Sequence, residues 1–171
     1  MRKHITLFLT VVAVLLLTAC GGEKSVEVGP YTVTVIDPNV YHIQDYNASY
    51  PAGEYFDEEG NLTHFNNCSD MYLIVGKKEA LLIDLSNDIK WADNAAESLR
   101  QLVSERIEGK PLTITFTHNH GDHTGMLHAF IDNKEISYAL PEKDFARLVE
   151  RLPGIDYSFI NEGYVFDLGG L

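Results

Sequence analysis

The chain has 171 residues, 45% hydrophobic and 22% charged, which is enough to bury one sizeable core and unlike the make-up of a disordered segment. Its formal net charge is −12, and setting aside Arg2 and Lys3 of the first twenty residues takes the remainder to −14. A field of that sign repels phosphate backbones and argues against nucleic-acid binding as a main role.

The N-terminus reads as an address. MRKH is a short basic segment, ITLFLTVVAVLLL is an apolar run too short for an ordinary membrane span, and LTAC places two small residues directly before Cys20. This order resembles the lipobox of bacterial lipoproteins, in which the cysteine is lipidated and becomes the first residue of the mature protein. The resemblance implies a lipoprotein signal peptide over residues 1–19 and a lipidated Cys20 with a flexible tether over 20–30. It also implies a domain anchored at a membrane of the cell envelope, facing outside the cytoplasm. With Cys20 so used, Cys68 is the one cysteine left, and no intrachain disulfide framework is available.

From Tyr31 onward the hydrophobic period keeps switching. YTVTVI alternates as a strand does, and VYHIQDY is a second strand. Between Asn47 and Asn67 the chain turns polar and aromatic, with Pro51, Gly53 and Gly60, and reads as a long loop or small insertion. MYLIVGKKEALLIDLS gives two apolar runs around a charged turn at Gly76 to Glu79, a hairpin signal. Trp91, Ala95, Leu99, Leu102 and Val103 then recur at helical steps, with Ser86, Asn87 or Asp88 as N-cap and Gly109 and Pro111 closing the helix. LTITFT is a buried strand running straight into His118, and TGMLHAFI predicts a second helix just after His123. EISYAL is a strand, PEKDFARLVERL a helix opened by proline, and YVFDL a last strand. Strands alternating with helices predict an α/β fold.

The stretch THNHGDHTGM holds three of the seven histidines, His118, His120 and His123, together with Asp122. His118 and His120 sit at strand spacing where a strand runs out, and Asp122 and His123 follow in the turn at Gly121. Imidazole nitrogen and carboxylate oxygen are the donors that zinc and similar divalent ions accept, and α/β folds place their sites at such strand ends. His42, His64 and His128, taken singly, read as surface or core residues.

THNHGDHTG resembles the H-x-H-x-D-H signature of the metallo-β-lactamase-fold hydrolases, and SDMYLIVGKKEALLID resembles the hairpin that precedes it in that family. The resemblance implies that His118 and His120 hold a first metal ion and that Asp122 and His123 hold a second. Asp84 would orient the ligands from behind. The implied cofactor is zinc, two ions in a complete domain, with iron or manganese as alternatives. Asp122 would also be catalytic, anchoring one ion and orienting the water that attacks a small-molecule ester, thioester, lactam or phosphoester.

The family takes further metal ligands from later segments, whereas no histidine follows His128 and the chain stops at YVFDLGGL. The expectation is therefore the N-terminal half of a four-layered αββα metallo-β-lactamase-type sandwich, a domain over 31–171 truncated in its C-terminal half. His42 or His64 could in principle approach the site. Two other classes stand beside the hydrolase: a non-catalytic metal-binding surface lipoprotein and an inert fragment.

Overall fold

The computed structural model describes residues 25–45, 58–59, 68–152 and 154–171. The expected signal peptide, Cys20, His64 and nearly all of the 47–67 loop lie outside the described residues.

Eight strands form one mixed sheet whose spatial order follows the sequence: β1 (Ser25–Val28), β2 (Tyr31–Asp37), β3 (Val40–Asp45), β4 (Asp70–Val75), β5 (Ala80–Ile83), β6 (Leu112–Thr115), β7 (Ile136–Pro141) and β8 (Asp156–Ile160). The first five pair antiparallel, and β5 to β8 pair parallel. The switch follows from the connections, because a turn joins β4 to β5 whereas α1 (Ala95–Ile107) carries the chain from β5 back to β6.

Alternation decides which face is covered. Tyr31 and Val33 of β2, Ile43 of β3, Met71 and Leu73 of β4, and Leu82 of β5 are buried with Ala95, Leu99, Leu102 and Val103 of α1 in one core. Their strand neighbours Asp70 and Tyr72 are exposed on the other face. Leu99 and Leu102 are fully buried, and each contributes about 1.5–3 kcal/mol through apolar area removed from water.

The structure departs from the sequence expectation at five places. Residues 25–28 of the predicted tether form β1, paired with β2 from Ser25↔Thr34 to Val28↔Tyr31. Helix α1 begins at Ala95, with Asn94 as N-cap, and not near Asn87; Ser86 and Asn87 spend their side chains elsewhere, and Trp91 precedes the helix. Helix α2 (Gly121–Thr124) starts before His123 and runs on as a 3-10 turn over Gly125–Ala129. The last strand is β8, the DYSFI segment, whereas YVFDL joins no ladder. Its last residue and the glycines after it instead bind the β4–β5 turn, where Lys78 N–H donates to Leu168 O at 3.0 Å and Lys77 N–H to Gly170 O at 2.9 Å. Gly169 and Gly170, at φ 80° and 85°, bend the chain there in a way other residues resist. PEKDFARLVERL is likewise broken into the short helix α3 (Glu142–Phe145) and a 3-10 turn at Val149–Arg151.

The strand directions gather chemistry along one edge of the sheet. Strands β3, β5 and β6 share a direction, and β4 runs against them. Asp45 at the end of β3, Ser69 just before β4, Asp84 just after β5 and His118 beyond β6 therefore come to the same edge.

Candidate metal centre

The chain leaves β6 through Phe116, which is buried and stacks on Phe145 of α3 with ring centroids 5.1 Å apart. Beyond it the chain bends at Thr117 and is extended at His120, and α2 then turns Asp122 and His123 back toward the strand end. His118 is the centre of the cluster. Its ring centroid lies 4.4 Å from that of His120 and 4.1 Å from that of His123. His118, Asp122 and His123 are half-buried and His120 is exposed, so the donors line a surface open to small molecules.

Asp84 organises this loop from behind. Its carboxylate is almost wholly buried and accepts from Thr117 N–H at 2.8 Å, Thr117 Oγ1 at 2.8 Å and His123 Nδ1 at 2.9 Å. A carboxylate only accepts, so the proton of His123 sits on Nδ1 and the Nε2 lone pair is turned outward. Asp84 adopts φ 63°, a left-handed conformation that aspartate enters more readily than most residues. Its backbone N–H bonds Thr115 O at 2.9 Å, and the next N–H, of Leu85, bonds His123 O at 2.6 Å.

The donor set suits a divalent ion. His123 Nε2 faces Asp122 Oδ2 at 3.6 Å. With Nδ1 carrying the proton these are two acceptors facing each other, an arrangement that a cation between them relieves. Among the described residues, however, no three His, Cys, Asp or Glu side chains are already set to hold a metal ion. The loop gathers the donors without presetting their ligand geometry.

The other two described histidines have separate partners. His42, on β3, contacts Asp70 Oδ1 at 2.6 Å and the ring of Tyr72 at 5.2 Å. His128 Nδ1 lies 3.1 Å from Gly125 O within its own turn.

The sequence reading passed over Asp45, Ser69 and the true role of Ser86 and Asn87. Asp45 is 1% exposed and accepts from Ser69 N–H at 2.9 Å, Ser86 Oγ at 2.7 Å, Asn87 N–H at 3.1 Å and Asn87 Nδ2 at 2.8 Å. Ser69 Oγ in turn donates to Asp122 O. The available signal was a carboxylate at an inward-facing position of β3, two residues beyond Ile43. Burial, and after it the charge of Asp45 across the β2–β3 ladder, push the Tyr31 hydroxyl above its ordinary range and keep it neutral.

Solved structures with a similar fold include the metallo-beta-lactamase from Pontibacter korlensis, at 20% identity and TM-score 0.56, covering 82% of this chain and 57% of that one. DIM-1 metallo-beta-lactamase exposed to ceftazidime matches at 18% identity and TM-score 0.53, covering 82% and 57%. The metallo beta lactamase from Erythrobacter litoralis matches at 16% identity and TM-score 0.52, covering 84% and 54%. At such identities the likeness shows the fold alone, and the chain spans little more than half the length of these proteins. No curated protein sequence matches the chain. The family model described as the metallo-beta-lactamase superfamily matches residues 69–170, a stretch holding Ser69, Asp84 and the whole histidine loop. A mixed sheet of this order, a histidine and aspartate loop at its β6 end, and a family match over more than half its length place the chain in the metallo-β-lactamase superfamily, whose members are mostly hydrolases that generally bind zinc.

Proposed function

We propose that this chain carries the N-terminal share of a zinc-dependent hydrolase site acting on a small ester, thioester, lactam or phosphoester. The observation behind this reading is the His123 arrangement, with Nδ1 tied to Asp84 and Nε2 turned toward Asp122. His118 and His120 would hold one ion, and Asp122 and His123 a second. When bound, divalent metal supplies a nucleophile from water near neutral pH and polarises the oxygen of the scissile group.

The chain's own residues do the rest. Asp84 keeps His123 in the tautomer whose Nε2 is a donor to metal, and Thr117, bonded to the same carboxylate, fixes the backbone that launches His118. Asp122, half-buried at the start of α2, orients the attacking water through its carboxylate and is the catalytic residue of this reading. Lipid on Cys20 would hold the domain on a membrane of the cell envelope, where a small-molecule substrate reaches it by diffusion.

The test is a zinc or cobalt(II) titration by calorimetry of the 171-residue chain and its Asp122→Ala variant. Turnover of a chromogenic lactam and a thioester is measured in parallel on a form extended by the remaining ligands of the family. Binding lost in Asp122→Ala, with turnover lost in the same variant of the extended form, is the expected result. Full turnover in Asp122→Ala would remove Asp122 from the chemistry. Tight binding without turnover in the extended form would favour the metal-binding lipoprotein reading over the hydrolase.

A further inference from the structure

We infer that Asp45, a buried carboxylate outside the histidine loop, is a positioning residue for Asp122 and His123. The inference rests on the reading of those two residues as metal ligands.

Asp45 lies at the last position of β3, and its two carboxylate oxygens receive four hydrogen bonds from two separate segments. One segment is Ser69, whose N–H donates to Asp45 and whose hydroxyl donates to the carbonyl of Asp122. Asn87 Nδ2 also lies 3.2 Å from that hydroxyl, which closes the knot between the two segments. The other segment is Ser86–Asn87. Ser86 is held at φ 57°, a conformation that serine adopts reluctantly and that its hydroxyl bond to Asp45 stabilises.

That second segment, together with Leu85 before it, grips the loop by its backbone. Gly125 N–H donates to Ser86 O at 2.9 Å, Met126 N–H to Leu85 O at 2.8 Å, and Leu85 N–H to His123 O at 2.6 Å. The backbone at Asp122, His123, Gly125 and Met126 is thus bonded to segments that Asp45 ties together. Asp84 fixes the ring of His123, and Asp45 fixes the backbone from which that ring and the Asp122 carboxylate project. The two carboxylates have separate tasks, and the second is met by a residue that touches none of the donors.

The role follows from charge as well as shape. Four donors converging on one buried site are satisfied by a carboxylate, whereas an amide in its place brings two N–H donors of its own against them. Asp45→Asn therefore keeps the volume and opposes part of the knot.

The experiment compares the wild-type 171-residue chain, Asp45→Asn, Ser69→Ala and the core variant Leu99→Ala. Each is measured by amide hydrogen exchange without metal and by cobalt(II) titration. In Asp45→Asn the amides of Leu85, Gly125 and Met126 are expected to exchange at least about tenfold faster while those of Leu73 and Leu82 keep their protection. Cobalt(II) affinity should fall by roughly tenfold to a hundredfold. Ser69→Ala should give a smaller loss of affinity, and it stands in should Asp45→Asn not fold. Unchanged exchange at the three loop amides would overturn the inference. So would an equal loss of affinity in Leu99→Ala, since affinity would then follow global stability. A wild-type chain that binds no cobalt(II) would instead sink the metal-centre reading, and the exchange rates would still decide whether Asp45 positions the loop.

Discussion

Asp84 Oδ2 and His123 Nδ1 meet at 2.9 Å across 39 residues of sequence, with Asp84 nearly buried and the imidazole partly open to solvent. The contact joins the end of β5 to helix α2, so the hairpin strand and the histidine loop are aligned by a side chain as well as by the β5–β6 ladder. It also assigns the tautomer of His123, because the carboxylate has no proton to give.

Replacing Asp84 by asparagine should separate these effects. The amide can still accept from Thr117 N–H, but its own N–H group opposes either the Thr117 hydroxyl or His123 Nδ1. Cobalt(II) affinity is expected to fall by about tenfold to a hundredfold. Urea unfolding should show a loss of about 1–3 kcal/mol for a buried network left partly unsatisfied. Undiminished affinity in Asp84→Asn would show that the carboxylate does not tune the ligand.

Much of this relationship was legible in the sequence, and the reasons are local. The β5 run ending in Asp84 and the β6 run ending before His118 are short apolar strands bounded by turns, and the histidine spacing declares its own chemistry. Asp45 was hidden because its partners, Ser69 and Asn87, are 24 and 42 residues away and meet it through sheet topology alone. The same fact misplaced the start of α1, since Ser86 and Asn87 have the composition of N-caps and only the knot at Asp45 shows where their side chains go. YVFDL failed as a strand for another reason. Alternation describes a segment that fits a ladder, but the end of this one and the residues after it are held by turn amides at Lys77 and Lys78.

Gly125 offers a second handle on the loop. A Cβ built there would come within 2.1 Å of Asp88 N, 2.3 Å of Asn87 C and 2.9 Å of Ser86 O, all backbone atoms of the segment that Asp45 holds. Gly125→Ala should therefore push that segment off the loop and cost about 1–3 kcal/mol, as overpacking does. Metal affinity should weaken with it. Gly121 has no heavy atom within 4 Å of the same construction, so Gly121→Ala, one turn earlier, is the contrasting variant and should leave stability within about 0.5 kcal/mol or raise it. Equal effects at the two glycines, read by urea unfolding, would contradict the close approach at Gly125.

Cys20→Ala addresses the membrane anchor. Cell fractionation and intact-mass measurement should find the wild-type chain lipidated and in the membrane fraction. The variant should be soluble outside the cytoplasm or held as an unprocessed precursor. Identical mass change and partitioning for the two would reject lipidation at this cysteine.

Tyr138 on β7 predicts an alkaline limit to stability. It is 1% exposed, its hydroxyl is without a hydrogen-bond partner among the described residues, and burial pushes its pKa from the ordinary 10.0 up to about 12. The folded value lies above the unfolded one, so between the two the unfolded chain releases a proton that the folded chain keeps. The contribution to stability is whole below pH 10 and is lost as pH rises from 10 toward about 12. Tyr138→Phe removes this loss together with the unpaired hydroxyl. Near pH 7 it should change stability by less than about 1 kcal/mol or improve it, because no hydrogen bond is given up. Above pH 10 its advantage over wild type should widen steadily, since the phenylalanine variant lacks the proton release at this position. Urea unfolding of both proteins across that range is the check, and a difference that stays constant with pH would mean that Tyr138 titrates alike in the folded and unfolded chains.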